Sequence, residues 1–243
     1  MQFVTTAEAI LLPALVLAFP AFSRHGQLSS AGMAVWGIVV AGGSGRRFGA
    51  LKQLQMLDGR RVLDWAVRSL MSAGVDGVVL VVPAEVVDRD ELPGDAVVSG
   101  GATRSASVRA GLAAIPDGVA SVLVHDGARP LASTALVERV IAGLEHAPAV
   151  VPVVPVTDSL RNVDGGSVDR TSFVAVQTPQ GFDRLVLRRA HEANREASDD
   201  ASLVDALGEE VLHVDGEAAN IKITGPADLE IAAVLLANRG EAR

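Results

Sequence analysis

The 243-residue chain contains no cysteine, which removes disulfide bridges, thiolate metal ligands and cysteine nucleophiles from consideration. It is nearly as short of lysine: of 21 basic residues, 19 are arginine and only Lys52 and Lys222 carry an ammonium group. Where arginine is written almost everywhere, a retained lysine marks a place that needs a compact point charge rather than a guanidinium fork. An excess of positive charge is missing as well. Twenty-nine acidic residues outweigh the 21 basic ones, for a net charge of −8, and this argues against a broad surface for nucleic acid or an anionic membrane. Any phosphate ligand must therefore be held locally. Long apolar runs are also lacking. Residues 9–22 are apolar but too few for the ~20 that span a bilayer, and Pro13 and Pro20 interrupt them. Glu8 is the one charged side chain ahead of that run, whereas a secretory leader carries positive charge there. These absences fit a cytoplasmic protein. Met33 directly precedes the first strand pattern, so residues 1–32 are expected to form an extension outside the fold.

What is present is an ordinary globular composition, 49% hydrophobic and 21% charged, without the polar, charge-dominated signature of disorder. Short Val-rich runs at 35–40, 77–82, 120–124 and 149–154 read as buried strands. Segments 61–73, 103–114 and 133–145 carry apolar residues at spacings of three and four, the mark of amphipathic helices. Alternation of this kind predicts an α/β domain whose mostly parallel sheet has helices on both faces, and ligands of such sheets sit beyond the carboxyl ends of the strands. The second half is less regular: a turn at Asp164-Gly165-Gly166, a short strand near 173–176, a helix from Asp183 and a last helix opening near Pro226. No repeat or linker divides residues 33–243, which are expected to be one domain.

Directly after the first strand stands Ala41-Gly42-Gly43-Ser44-Gly45-Arg46-Arg47-Phe48-Gly49, with Lys52 just beyond. Glycines at a strand end let the backbone approach a ligand, and successive N–H groups beside cations make an anion nest. The loop reads as a triphosphate cradle. It is not the dinucleotide fingerprint, which needs Gly where Phe48 stands, nor a P-loop, which ends in Gly-Lys-Ser/Thr. Further on, Gly100-Gly101 offers close backbone approach, and Ser107 near a helix start offers a hydroxyl to polar atoms of a base. Asp126 ends a buried strand, where a carboxylate can hold a ribose hydroxyl or a phosphate-bound metal.

A strand leading into this glycine-arginine loop resembles nucleotidyltransferases that join a nucleoside triphosphate to a phosphorylated sugar or alcohol. Four more segments narrow the likeness: Gly100-Gly101-Ala102-Thr103-Arg104-Ser105-Ala106-Ser107-Val108, Val124-His125-Asp126-Gly127-Ala128-Arg129-Pro130, Gln177-Thr178-Pro179-Gln180-Gly181-Phe182 and Asn220-Ile221-Lys222-Ile223-Thr224. Their order and spacing resemble the 2-C-methyl-D-erythritol 4-phosphate cytidylyltransferase family over about residues 35–238. Within these matches Leu51 precedes the loop lysine where the family favours Pro, Ala102 replaces a frequent acidic residue, Gly127 a usual Ala and Ser159 a usual Thr.

The resemblance implies a Rossmann-like nucleotidyltransferase fold with a protruding β-arm over about 157–171, a homodimer built through that arm, and Mg²⁺ as cofactor. It implies CTP and a polyol phosphate as substrates, with no nucleic acid and no membrane as partner. Arg47, Lys52, Arg170 and Lys222 take the catalytic places, the first two at the phosphates of CTP and the second two at the phosphate of the acceptor. Ala41, Gly42, Gly43, Gly45, Gly100, Gly101, Ser107, Asp126 and Gly127 take the CTP-binding places. Arg129, Ser159, Thr178 and Ser198 take the acceptor-binding places. Mg²⁺ is expected chiefly on the CTP phosphates, with Asp126 as a possible ligand. His125 is read as structural, because in-line attack of a phosphate oxygen on the α-phosphorus requires no base. Two alternatives stay open, a ribitol-5-phosphate cytidylyltransferase and a catalytically silent nucleotide-binding regulator. The end of the chain soon after the last helix suggests that no second enzyme is fused behind it.

Overall fold

Uninterrupted Val-rich strands can satisfy their side chains only if both faces of the sheet are covered, and the computed structural model has that arrangement. It describes residues 34–42, 51–89, 91–192 and 195–240. The expected extension at 1–32 and, within the glycine loop, Gly43, Gly45 and Arg47 lie outside the described residues. In chain order the elements are β1 (Val35–Val40), β2 (Met56–Leu57), β3 (Arg60–Arg61), α1 (Val62–Ser72), β4 (Gly77–Val82), β5 (Ala96–Ser99), α2 (Arg104–Ala113), β6 (Ser121–Asp126) and α3 (Thr134–Gly143). Then follow β7 (Ala149–Pro155), β8 (Leu160–Arg161), β9 (Ser167–Val168), β10 (Val174–Val176), β11 (Gln180–Asp183), α4 (Arg184–Glu192), α5 (Ala201–Asp205), β12 (Val211–Asp215) and α6 (Pro226–Asn238).

Eight strands form one sheet in the order β10-β7-β11-β6-β1-β4-β5, with β12 added on β7. The pairs β5–β4, β4–β1, β1–β6 and β7–β12 are parallel. The stretch β10–β11 is the exception. Its two strands run antiparallel along β7, and β11 also pairs antiparallel with β6. Period-2 alternation distributes the side chains to two cores. Ile38, Val79, Val81, Val122 and Val124 face α2, α4 and α5, while Val39, Val78, Leu80, Val82 and Leu123 face α1 and α3. The helices begin where short polar side chains cap them: Thr103 accepts from the Ala106 N–H at 3.1 Å and Ser133 from the Leu136 N–H at 3.0 Å.

A third, smaller cluster joins parts far apart in sequence. Leu57, Val62 and Trp65 from the β2–β3 hairpin and α1 pack with Leu131, Ile223, Ala232 and Leu236, and the Trp65 indole donates to the Leu57 carbonyl at 2.9 Å. This seats α6 on the hairpin and brings the segments carrying Lys52 and Lys222 to one end of the sheet. Away from it, β8 and β9 form a two-stranded arm, turned at its tip by Gly165 (φ 107°) and Gly166 (φ 81°), backbone angles that L side chains resist. Among the described residues no helix is long and apolar enough to cross a membrane.

Candidate active site

The connection β1-α1-β4 runs to one side of β1, and β5-α2-β6 returns to its other side. At such a reversal the crossover helices lie on opposite faces and leave a crevice at the strand ends. Here the crevice is a cleft of ≈ 690 Å³. Ala41 and Gly42 after β1, Gly100 and Gly101 after β5, and Ser107 on α2 form one side. Lys52, Arg104, Asp126 and Lys222 form the charged side.

The glycines are required by close approach. A Cβ on Gly101 would stand 2.4 Å from the Ala106 Cβ, and one on Gly100 would stand 2.9 Å from the Ser107 hydroxyl. That hydroxyl donates to the Thr103 carbonyl at 2.9 Å and accepts from the Gly101 N–H at 3.2 Å. The start of α2 is thereby tied to the glycine turn. Gly127 is not at the cleft surface. Its N–H donates to the Val40 carbonyl at 2.9 Å, so it joins β6 to β1 behind the cleft.

Asp126 is the electrostatic centre. Its carboxylate lies 2.7 Å from the Lys222 ammonium, 3.6 Å from Arg104 Nε and 3.7 Å from Arg129 Nε. Burial alone would raise its pKa, but Lys222, Arg104 and Arg129 together hold it well below the ordinary carboxylate range. Arg104 has a second carboxylate partner, Asp200, 2.8 Å from its Nη1. Burial would lower the Arg104 pKa, and the charges of Asp200 and Asp126 instead raise it. Lys52 sits on the short 3₁₀ turn Lys52–Leu54, whose buried Gln53 donates to the Ala41 carbonyl and pins that turn to the end of β1.

Behind Asp126 the hydrogen bonds settle the role of His125. The Asp126 N–H donates to the Thr178 hydroxyl at 3.0 Å, so that hydroxyl gives its own proton to His125 Nδ1 at 2.9 Å. Nε2–H then donates to the Arg129 carbonyl at 3.1 Å. The ring is fully buried, and burial pushes its pKa down to about 4 despite the neighbouring Asp126. It is a neutral structural imidazole.

Among the expected acceptor-binding residues, Thr178 is therefore buried and occupied with Asp126 and His125. Arg129 donates to the Asn220 carbonyl at 2.7 Å and to the Val176 carbonyl at 3.3 Å, which ties the Lys222 segment to β10. Asn220 reinforces the tie by donating to the Thr178 carbonyl at 2.9 Å. The structure does not bring Ser159, Arg170 or Ser198 to this cleft. Ser159 is exposed on the approach to the arm, Arg170 is exposed at its base and donates to the Thr157 carbonyl, and Ser198 is exposed and donates to Asp199 at 3.1 Å. Arg104 and Glu85 are charged residues of the cleft that are not among the site residues expected from the sequence. A signal was available: a cation in the first turn of a helix opposes the helix dipole, so Arg104 at the start of α2 calls for anionic partners.

No group of three or more His, Cys, Asp or Glu side chains able to hold a metal occurs among the described residues. Asp126 and Glu85 are the carboxylates lining the cleft. That donor set fits a hard divalent cation carried mainly by ligand phosphates, with one protein carboxylate at most.

A glycine-walled crevice at the reversal point of a doubly wound sheet, rimmed by ammonium groups, is the mark of an α/β protein that binds a phosphorylated ligand. The comparisons with known proteins go further. A family model for 2-C-methyl-D-erythritol 4-phosphate cytidylyltransferase matches residues 35–238, and the chain belongs to that family. It is 45% identical over 212 residues to the cytidylyltransferase of that name from Rhodococcus opacus, covering 82% of this chain and 93% of that one. It is 46% identical over 213 residues to the one from Frankia casuarinae, covering 82% and 80%. The crystal structure of the Thermus thermophilus enzyme superposes with a TM-score of 0.74 at 39% identity, covering 84% of this chain and 98% of that one.

Proposed function

We propose that the chain transfers CMP from CTP to 2-C-methyl-D-erythritol 4-phosphate, forming 4-diphosphocytidyl-2-C-methyl-D-erythritol and pyrophosphate for non-mevalonate isoprenoid precursor synthesis. The observation that carries this reading, beside family membership, is that the two lysines of the whole chain line the same cleft over glycine-rich strand ends.

The acceptor phosphate oxygen attacks the α-phosphorus in line, the new P–O bond forms, and the bond to the leaving pyrophosphate breaks. Positioning and charge neutralisation supply the catalysis. Lys52, with Arg47 of the glycine loop, neutralises charge growing on the α-phosphate and the leaving group. Lys222 holds the acceptor phosphate near Asp126, and Gly100, Gly101 and Ser107 face the base. Mg²⁺ would be held mainly by the CTP phosphates, with Asp126 as the protein carboxylate, and would supply further charge neutralisation.

The same reading makes the protein a cytoplasmic homodimer. Phe173, Val174 and Val176 leave 50%, 44% and 38% of their surface exposed beside the arm, an apolar strip suited to a second copy. Arg170 and Ser159, outside this chain's own cleft, then serve the cleft of that copy.

The test is Mg²⁺-dependent pyrophosphate release from CTP with 2-C-methyl-D-erythritol 4-phosphate, ribitol 5-phosphate or a hexose 1-phosphate as acceptor. Release with the first alone is expected. Release only with another acceptor moves the substrate assignment, and CTP binding without release identifies a silent regulator. Lys52→Ala should lower the rate by about 10²–10³, the cost of removing one preorganised donor; near-normal turnover would take Lys52 out of this role.

A further inference from the structure

The segment Ser198-Asp199-Asp200-Ala201-Ser202 contains a carboxylate with no exposed surface, that of Asp200. A buried charge persists only where partners surround it, and Asp200 has them on several sides. One oxygen lies 2.9 Å from His191 Nε2, and the other 2.8 Å from Arg104 Nη1. Its backbone is held too: the Gln180 side-chain oxygen accepts from the Asp200 and Ala201 N–H groups at 3.2 and 3.3 Å. Neither His191, Asp200 nor Gln180 lines the cleft, whereas Arg104 does.

We propose that Asp200, braced by His191, is a positioning residue for nucleotide binding: it grips the Arg104 guanidinium from behind and fixes it in the cleft wall. The inference rests on reading the cleft as the CTP site. A free arginine side chain at a cleft rim samples many rotamers, and a ligand that immobilises it must bear that entropy. Here Nη1 is engaged by Asp200 and Nε faces Asp126 at 3.6 Å. Two carboxylate charges, one ion-paired at 2.8 Å and one at 3.6 Å, on two edges of a planar guanidinium favour one orientation over the others. Nη2 is the nitrogen of neither contact among the described residues, and in this arrangement it meets the ligand oxygen. Asp200 makes the closer contact and is the more deeply buried of the two, so its loss frees the fork. His191 keeps the Asp200 carboxylate from turning away.

This arrangement predicts a divided kinetic effect. Asp200→Asn preserves shape and removes charge. It should raise KM for CTP about tenfold, equivalent to about 1.4 kcal/mol, with kcat and the KM for the acceptor within about twofold of the unaltered protein. Arg104→Ala should raise the same KM, and Asp200→Asn added to it should bring no further rise, because its effect passes through Arg104. His191→Gln, which retains a donor near the Nε2 position, should stay closer to the unaltered KM than His191→Leu. A purely structural role would lower the melting temperature and leave the KM for CTP unchanged in the folded fraction. That result, or additive effects of Asp200→Asn and Arg104→Ala, overturns the inference. Should Asp200→Asn fail to fold, Arg104→Lys decides: one ammonium cannot span both carboxylates, so an unchanged KM for CTP in that variant is equally fatal. Calorimetric titration of the unaltered protein with CTP separates the two levels. Absence of binding refutes the reading of the cleft itself, while binding with unaltered KM in the variants overturns the positioning role alone.

Discussion

Lowering the pH from 7 to 5 should cost the fold about 2 kcal/mol through His125 alone. In the unfolded chain this imidazole protonates near its ordinary pKa of 6.5; in the fold, burial holds it at about 4. Between those values the unfolded state binds more protons, so stability is full above 6.5, falls as the pH drops, and levels off below 4. The complete difference of about 2.5 pH units is worth about 3.4 kcal/mol, of which about 2 kcal/mol falls between pH 7 and pH 5. Asp126 acts in a separate window. Its pKa is depressed, so its contribution is present above its ordinary value of 3.8 and lost only in stronger acid. Urea unfolding followed by tryptophan fluorescence at pH 7 and pH 5 measures the effect. His125→Asn, which keeps an acceptor for the Thr178 hydroxyl, should lose about 2 kcal/mol less than the unaltered protein over that interval. Equal losses in both, within about 0.5 kcal/mol, would show that the ring is not held neutral and would refute the hydrogen-bond assignment.

Three further outcomes follow from packing and charge. Gly101→Ala places a methyl group 2.4 Å from the Ala106 Cβ and should destabilise by about 1–3 kcal/mol, seen in urea midpoints, with weaker CTP binding by calorimetry. Asp126→Asn leaves Lys222, Arg104 and Arg129 facing one another without their shared anion and should cost about 3 kcal/mol in the same unfolding assay at neutral pH. Phe182→Ala empties a fully buried site between β6 and β7; thermal unfolding should report a loss of about 3–5 kcal/mol.

Much of the central fold is legible from the chain. The Val-rich runs at 35–40 and 77–82 coincide with β1 and β4, and the helix patterns at 61–73, 103–114 and 133–145 contain α1, α2 and α3. Both periodicities come from residues near in sequence. The rest of the sheet was less legible. Gln180–Asp183 carries no alternating pattern, yet it pairs antiparallel between β6 and β7, because its place is set by the strands around it. β5 and β12, each paired on one side, likewise lack a long apolar run.

The site divides in the same way. The chemistry of its groups was local information: a glycine turn after a strand, a carboxylate at the end of a buried strand, and two lysines retained among arginines. These identities bound the chemistry to phosphate and nucleotide handling before any coordinates. Which groups meet was not local. Lys222 reaches Asp126 because the third apolar cluster seats α6 on the β2–β3 hairpin, and Arg104 is braced by Asp200 because α5 packs against α4 and β11 leads into that pair. The same folding withdrew Thr178 and Arg129 into backbone and histidine contacts and left Arg170 on the outer arm. Periodicity and turn chemistry follow from neighbours along the chain, whereas the pairing of charges follows from burial, which only long-range packing creates.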